Sequence, residues 1–249
     1  MDAPGMATVT RYPRVAAVMT ALALVGGGLG AGSGLVWAAL RAVERVGIAL
    51  SLAQTVLLSA VLIQGVAFGG ISGLYLKLRG KRLSWVGVEL PGLRGWLTIA
   101  SGYVLAFVGA MAAVVLVVVS GLDPAANRTQ SVGMADPLVF ALLVPISFLL
   151  IGPGEELLFR GIIQTSLVEG LGRLPGIALA TVLFAGAHVF SLTGPLTGRA
   201  TTILLLVVPG LVLALSYAYS KNIVVPAMVH GAYNATLFGI AYLGALGAG

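Results

Sequence analysis

Seven apolar stretches, each long enough to cross a bilayer, alternate along the chain with short polar or basic connectors. They fall at about 15–40, 46–76, 97–120, 138–159, 175–192, 200–219 and 222–246. Roughly 20 apolar residues in a helix span a hydrocarbon core, and a helix satisfies its own backbone groups there. The pattern predicts an all-α fold, a polytopic transmembrane bundle of seven helices, with eight as the upper count. Residues 1–249 read as a single integral membrane domain. The second stretch is long enough to tilt, or to continue as an interfacial helix before Lys77. The first, Val15 to Leu40, exceeds the apolar core of about 7–15 residues in a secretory signal and reads as a retained helix.

Composition agrees. The chain is 59% hydrophobic and 9% charged, where a soluble domain carries about 25% charged residues. A net charge of +6 resembles a nucleic-acid signature, but the basic residues cluster in loops, as the positive-inside rule requires. No nucleic-acid partner is expected; the surroundings are membrane lipid. Lys77, Arg79, Lys81, Arg82 and Arg94 mark one cytoplasmic loop, with Arg11, Arg14, Arg160, Arg173 and Lys221 assigned to the same side. Arg41, Arg45, Arg128 and Arg199 fall opposite. This bias predicts a multi-pass protein of the plasma membrane with a cytoplasmic N-terminus and, for seven spans, an external C-terminus. The absence of cysteine excludes a disulfide framework, a thiol nucleophile and a thiolate metal site.

Trp37, Tyr75, Trp96, Tyr217 and Tyr219 lie near span ends, where amphipathic rings anchor at the headgroups. The glycine-rich run from Gly26 to Gly32 lies inside a span and lacks the lysine of a phosphate loop. Its four-residue spacings, Gly26/Gly30/Gly34 and Gly28/Gly32, predict close helix packing. The loop 121–137 reads as an ordinary polar connector.

Against this apolar background the ionisable residues stand out. Charge at mid-membrane depth costs roughly 2.5–3.5 kcal/mol per residue on insertion scales. Yet two of only eight acids, Glu155 and Glu156, are adjacent in the fourth stretch, and both histidines, His188 and His230, lie in the fifth and seventh. Pro145 and Pro153 interrupt the fourth stretch, and a helix restarting near Pro153 places both glutamates in its first turns. Glu156 and Arg160 are four apart, share a face and can pair. Glu155 points about 100° away, less compensated and able to accept a proton. Taken alone, this triplet also fits a buried ion pair that merely sets helix register.

His188 follows Phe184 by four residues, so the phenyl ring can shield and orient the imidazole. It can position water, ligate a metal or shuttle protons, or bond to a neighbouring carbonyl. His230 and Asn234 are also four apart. They suit interhelical bonding or a site for a developing oxyanion. One shared cavity would satisfy all these groups at once, and such a cavity can hold a polarised water. Ser147, Ser166 and Ser191 sit in no nucleophile signature, so water attack with a glutamate base is the simpler scheme.

Glu155-Glu156-Leu-Leu-Phe-Arg160, Phe184-Ala-Gly-Ala-His188 and His230-Gly-Ala-Tyr-Asn234 together resemble the three motifs of the CPBP intramembrane proteases. That family includes the type II CAAX prenyl endopeptidases and the bacteriocin-processing or self-immunity (Abi-type) proteins. The resemblance covers about 138–238, the expected protease core. A weaker likeness lies at Leu83-Ser-Trp-Val-Gly-Val-Glu-Leu, and 15–76 carry no recognisable motif. The resemblance implies an endopeptidase acting on a peptide or lipidated protein substrate. Glu155 looks like the water-activating base, His188 a water holder, His230 and Asn234 the oxyanion pair, Glu156 and Arg160 the supporting ion pair. No cofactor is expected. Zinc on two histidines and a glutamate is the alternative, less favoured because the spacing is not His-Glu-x-x-His. A non-catalytic immunity or scaffold protein is the competing reading, and a proton-coupled transporter a third.

Overall fold

The computed structural model describes residues 13–247. Arg11 lies outside the described residues. Among the described residues seven helices are long and apolar enough to span a membrane: α1 (Pro13–Arg45), α2 (Leu52–Leu78), α3 (Leu93–Val119), α5 (Leu138–Leu171), α6 (Arg173–Ser191), α7 (Leu196–Ser220) and α8 (Val224–Gly247). The protein is a polytopic helical membrane bundle. A short helix, α4 (Arg128–Ala135), precedes α5.

The bundle is organised around α5. It packs against α1, α2, α6 and α8, while α8 also lies along α3, and α3 along α7. Close backbone approach explains how one helix meets so many partners. A Cβ on Gly154 would lie 2.5 Å from the carbonyl oxygen of Gln64 in α2, and one on Gly152 2.6 Å from that of Ala227 in α8. Glycine at both positions lets α5 wedge between α2 and α8. This is small-residue packing as it operates in lipid, where backbone proximity replaces the hydrophobic drive.

The helix does not restart at Pro153. It runs on through two wide π-helical stretches, Ser147–Ile151 and Leu157–Gln164, with a short α-helical segment between them. Gly152 donates its N–H to the carbonyl of Ser147, five residues back. Proline lacks an N–H and crowds the carbonyl four residues before it, and a wide turn relieves that crowding without ending the helix. The fourth span therefore extends to Leu171, not 159, where Gly172 turns the chain at φ +91°. Arg160 is consequently not in a cytoplasmic connector. It is 1% exposed, within the bundle core.

Three further expectations change. The connector 121–137 has structure: Ala126–Asn127 forms β1, which pairs antiparallel with β2 (Leu192–Thr193), and α4 follows. Only one of the two glycine stripes packs. A Cβ on Gly28 would meet Phe68 and Leu158, and one on Gly32 would meet Ile63, whereas Gly26, Gly30 and Gly34 face open space. Tyr217 is buried rather than interfacial, its hydroxyl donating to the Val86 carbonyl at 3.4 Å.

That contact belongs to the loop beginning Leu83-Ser-Trp-Val. Val86 is fully buried beside Leu76, Ile162, Tyr217 and Ile223. Gly87 adopts φ +72°, and its carbonyl accepts from the Ile223 N–H at 2.9 Å. The loop thereby fastens α2 and α3 to the α7–α8 turn, below the polar cluster of the core.

Candidate active site

Midway along α5, the α-helical segment Gly152–Glu156 carries the two glutamates, and the next π-helical stretch carries Arg160. Glu155 (8% exposed), Glu156 (0%), Arg160 (1%) and His230 (4%) are all buried residues. They form one connected group. Glu156 Oε1 accepts from Arg160 at 3.0 Å and from His230 Nδ1 at 2.7 Å. Arg160 turns its other terminal nitrogen to the carbonyl of Gly210 in α7, at 3.1 Å. Glu156 is thus a hub for α5, α8 and, through the guanidinium, α7. The expected Glu156–Arg160 pair is present, and His230 makes it a triad.

Phe184 organises the same volume from α6. Its ring centroid lies 3.8 Å from the Arg160 guanidinium carbon, a cation–π contact worth about 2 kcal/mol or more when desolvated. His188 and His230 pack against the ring edge-on, with centroids at 4.9 and 5.8 Å. The phenyl ring therefore does more than shield His188: it touches three of the six expected site residues.

His188 itself bonds Nδ1 to the Phe184 carbonyl at 2.9 Å. A carbonyl can only accept, so Nδ1 carries a proton and Nε2 is the ring nitrogen left without a partner. His230 likewise has its Nδ1 engaged. Its Nδ1 faces a carboxylate, leaving Nε2 3.9 Å from Glu155 Oε2. The two adjacent acids accordingly differ in role. Glu156 engages an arginine and a histidine, whereas Glu155 points Oε2 toward the histidine across a gap wider than a hydrogen bond.

Asn234 is half-buried, one turn beyond His230 on α8. Its side chain makes no hydrogen bond among the described residues and joins the group by helical position only. The structure thus unites Glu155, Glu156, Arg160 and His230 directly, brings His188 in through Phe184, and places Asn234 alongside. The nearby hydroxyls are committed elsewhere. Ser147 donates to the Leu143 carbonyl at 2.6 Å, and Ser191 to the His188 carbonyl at 2.8 Å.

Among the described residues no group of three or more His, Asp or Glu side chains is arranged to hold a metal ion. Nδ1 of each histidine is already bonded, and Glu155 Oε2 and His230 Nε2 lie 3.9 Å apart.

One participant escapes the motifs. Gln64, in the π-helical stretch Val61–Phe68 of α2, donates Nε2 to Glu155 Oε1 at 2.8 Å. The signal in the sequence was slight: a lone amide between Ser59 and Ser72 in an otherwise apolar or glycine run.

Residues 137–236 match the family model described as Type II CAAX prenyl endopeptidase Rce1-like. The match encloses all three motifs and helices α5 to α7 with the first half of α8. That stretch is similar to the Rce1-like family, in keeping with the resemblance of the motifs. No curated protein and no solved structure matches the chain.

Proposed function

We propose that this Rce1-like core is an intramembrane endopeptidase that cleaves a peptide bond of a membrane-associated substrate with water activated by Glu155. The observation that carries the reading is the buried pairing of Glu155 Oε2 with His230 Nε2, 3.9 Å apart, while Glu156 grips the far side of the imidazole. The substrate class suggested by the family description is a protein with a lipidated C-terminal tail, reached from the cytoplasmic side and the bilayer together. The protein sits in the cell membrane with its N-terminus inside.

In the proposed reaction, water lies beside Glu155, with His188 Nε2 accepting one of its protons in a hydrogen bond. Glu155 Oε2 takes the other proton as the water oxygen bonds to the scissile carbonyl carbon. The carbonyl electron pair moves onto oxygen. His230 acts as imidazolium, donating Nδ1–H to Glu156 and Nε2–H to that oxyanion, and the Asn234 amide supplies a second donor. With His230 protonated, two carboxylates face two cations, Arg160 and His230, so the buried group is neutral overall. When the intermediate collapses the C–N bond breaks, and Glu155 returns the proton to the leaving amine. Arg160 and Glu156 stay out of the bond changes and hold the imidazole in register. Donors fixed toward a developing oxyanion lower the barrier because they need no reorganisation.

The test is cleavage of a fluorogenic lipidated peptide by purified protein in liposomes, compared with Glu155→Ala. Loss of a general base lowers the rate by about 10²–10⁴, and the variant is expected to keep its unfolding temperature. Equal turnover by the two proteins would remove Glu155 from this role. Phenanthroline is expected to leave the wild-type rate unchanged; inhibition reversed by added zinc would favour the metal-dependent scheme.

A further inference from the structure

Gln64 belongs to α2, outside the stretch that matches the family model, and yet it touches the proposed base. We propose that Gln64 is a positioning residue for Glu155: its amide N–H holds Oε1 so that Oε2 is left facing the reacting water and His230. The proposal rests on the peptidase reading above and deepens it.

The amide can work in one orientation only. Turned over, it would set its oxygen against a carboxylate oxygen, two acceptors with no proton between them. As placed, it donates at 2.8 Å, and its own Oε1 is buried with no partner among the described residues. An unsatisfied buried acceptor is costly, so this arrangement sacrifices one end of the amide to bind the carboxylate with the other. The backbone is built for it. The missing side chain of Gly154 lets α5 close on the Gln64 carbonyl, and a π-helical stretch surrounds Gln64 in α2. Such wide turns are rare and occur often at functional sites.

An amide in lipid commonly serves as interhelical glue, and the two roles separate experimentally. Glue contributes to folding whichever state the reaction is in. A positioning bond acts on the chemical step, where misplacing a reacting group by about 1 Å can cost 10²-fold.

The experiment uses the full chain in liposomes and the same lipidated peptide. Gln64→Met keeps the volume and removes the donor; kcat is expected to fall about 10–100-fold with KM within about twofold and the unfolding temperature retained. Gln64→Glu keeps size and polarity but faces one carboxylate with another, and kcat is expected to fall further. It also replaces Gln64→Met if that variant does not fold. Wild-type kcat in either variant, or a loss that merely tracks the folded fraction, would overturn the proposal while leaving the peptidase reading intact. Infrared spectroscopy provides a test without substrate. The difference between Gln64→Met and wild type is expected to show a displaced carboxylate stretch that vanishes on a Glu155→Gln background. No displacement overturns the proposal. A wild type that cleaves nothing, by contrast, sinks the peptidase reading, and the infrared result then decides alone whether Gln64 holds Glu155.

Discussion

The two sides of α5 are built differently. Toward α6, α7 and α8 the helix meets a dense polar network: Glu156, Arg160, His230 and the Gly210 carbonyl, with Phe184 beneath the guanidinium. Toward α2 it meets one amide and the backbone contact at Gly154. The first side immobilises a histidine by fixing both the ring and the carboxylate that grips it. The second leaves one oxygen of Glu155 pointing into the space between. Adjacent residues of one helix thus acquire opposite characters from their neighbours, one held and one available. A proton acceptor has to be positioned without being saturated, and contact with a single donor achieves that.

Substitutions can break or sharpen this contrast. The largest stability effect is expected from Arg160→Ala, which strands Glu156 with a buried charge. Removing one partner of a buried pair costs about 3–5 kcal/mol, read as a lower unfolding temperature in detergent. The double variant Glu156→Gln/Arg160→Met is expected to recover much of that loss while remaining inactive, because His230 loses its carboxylate. Full stability in Arg160→Ala would show the network side to be ornamental.

Asn234→Ala comes next. If its amide meets the oxyanion, kcat falls by about 10²-fold, close to 2.7 kcal/mol of barrier, with no change in unfolding temperature. A rise in KM alone would assign Asn234 to substrate binding. Gly154→Ala acts on the sparse side: the new methyl meets the Gln64 carbonyl, and overpacking of this kind typically costs about 1–3 kcal/mol. Activity is expected to fall more than in Ala variants at exposed positions, since α2 is pushed away from Glu155. The smallest effect separates the two glycine stripes of α1. Gly28→Ala crowds Phe68 and Leu158 and lowers stability by about 1 kcal/mol, whereas Gly30→Ala, facing open space, changes it by a few tenths at most. Equal effects would mean that α1 packs in another register.

Much of the site was legible because its residues violate the solvent they sit in. An ionisable group in an apolar stretch is conspicuous, and four-residue spacings place side chains on a common helical face. Glu155, Glu156, Arg160, His188, His230 and Asn234 could be named on those grounds and by their motifs. Gln64 could not. Its partner is 91 positions away, and a single uncharged amide is cheap enough in a helix to require no explanation. The continuation of α5 through Pro153 was also hidden, because proline signals a break, while the wide turn that accommodates it depends on how the helix packs.

The amino-acid order by itself determined the number of spans, their helical form and the kinds of chemical group buried among them. These follow from local properties: apolar length against bilayer thickness, and backbone bonding that each helix completes alone. Tertiary packing decided which glutamate meets an arginine and a histidine and which a single amide, which glycines touch a neighbour, and where Arg160 lies. Those outcomes depend on distances between helices, and such distances are fixed by side chains remote in the chain meeting in a medium with no water to satisfy them otherwise.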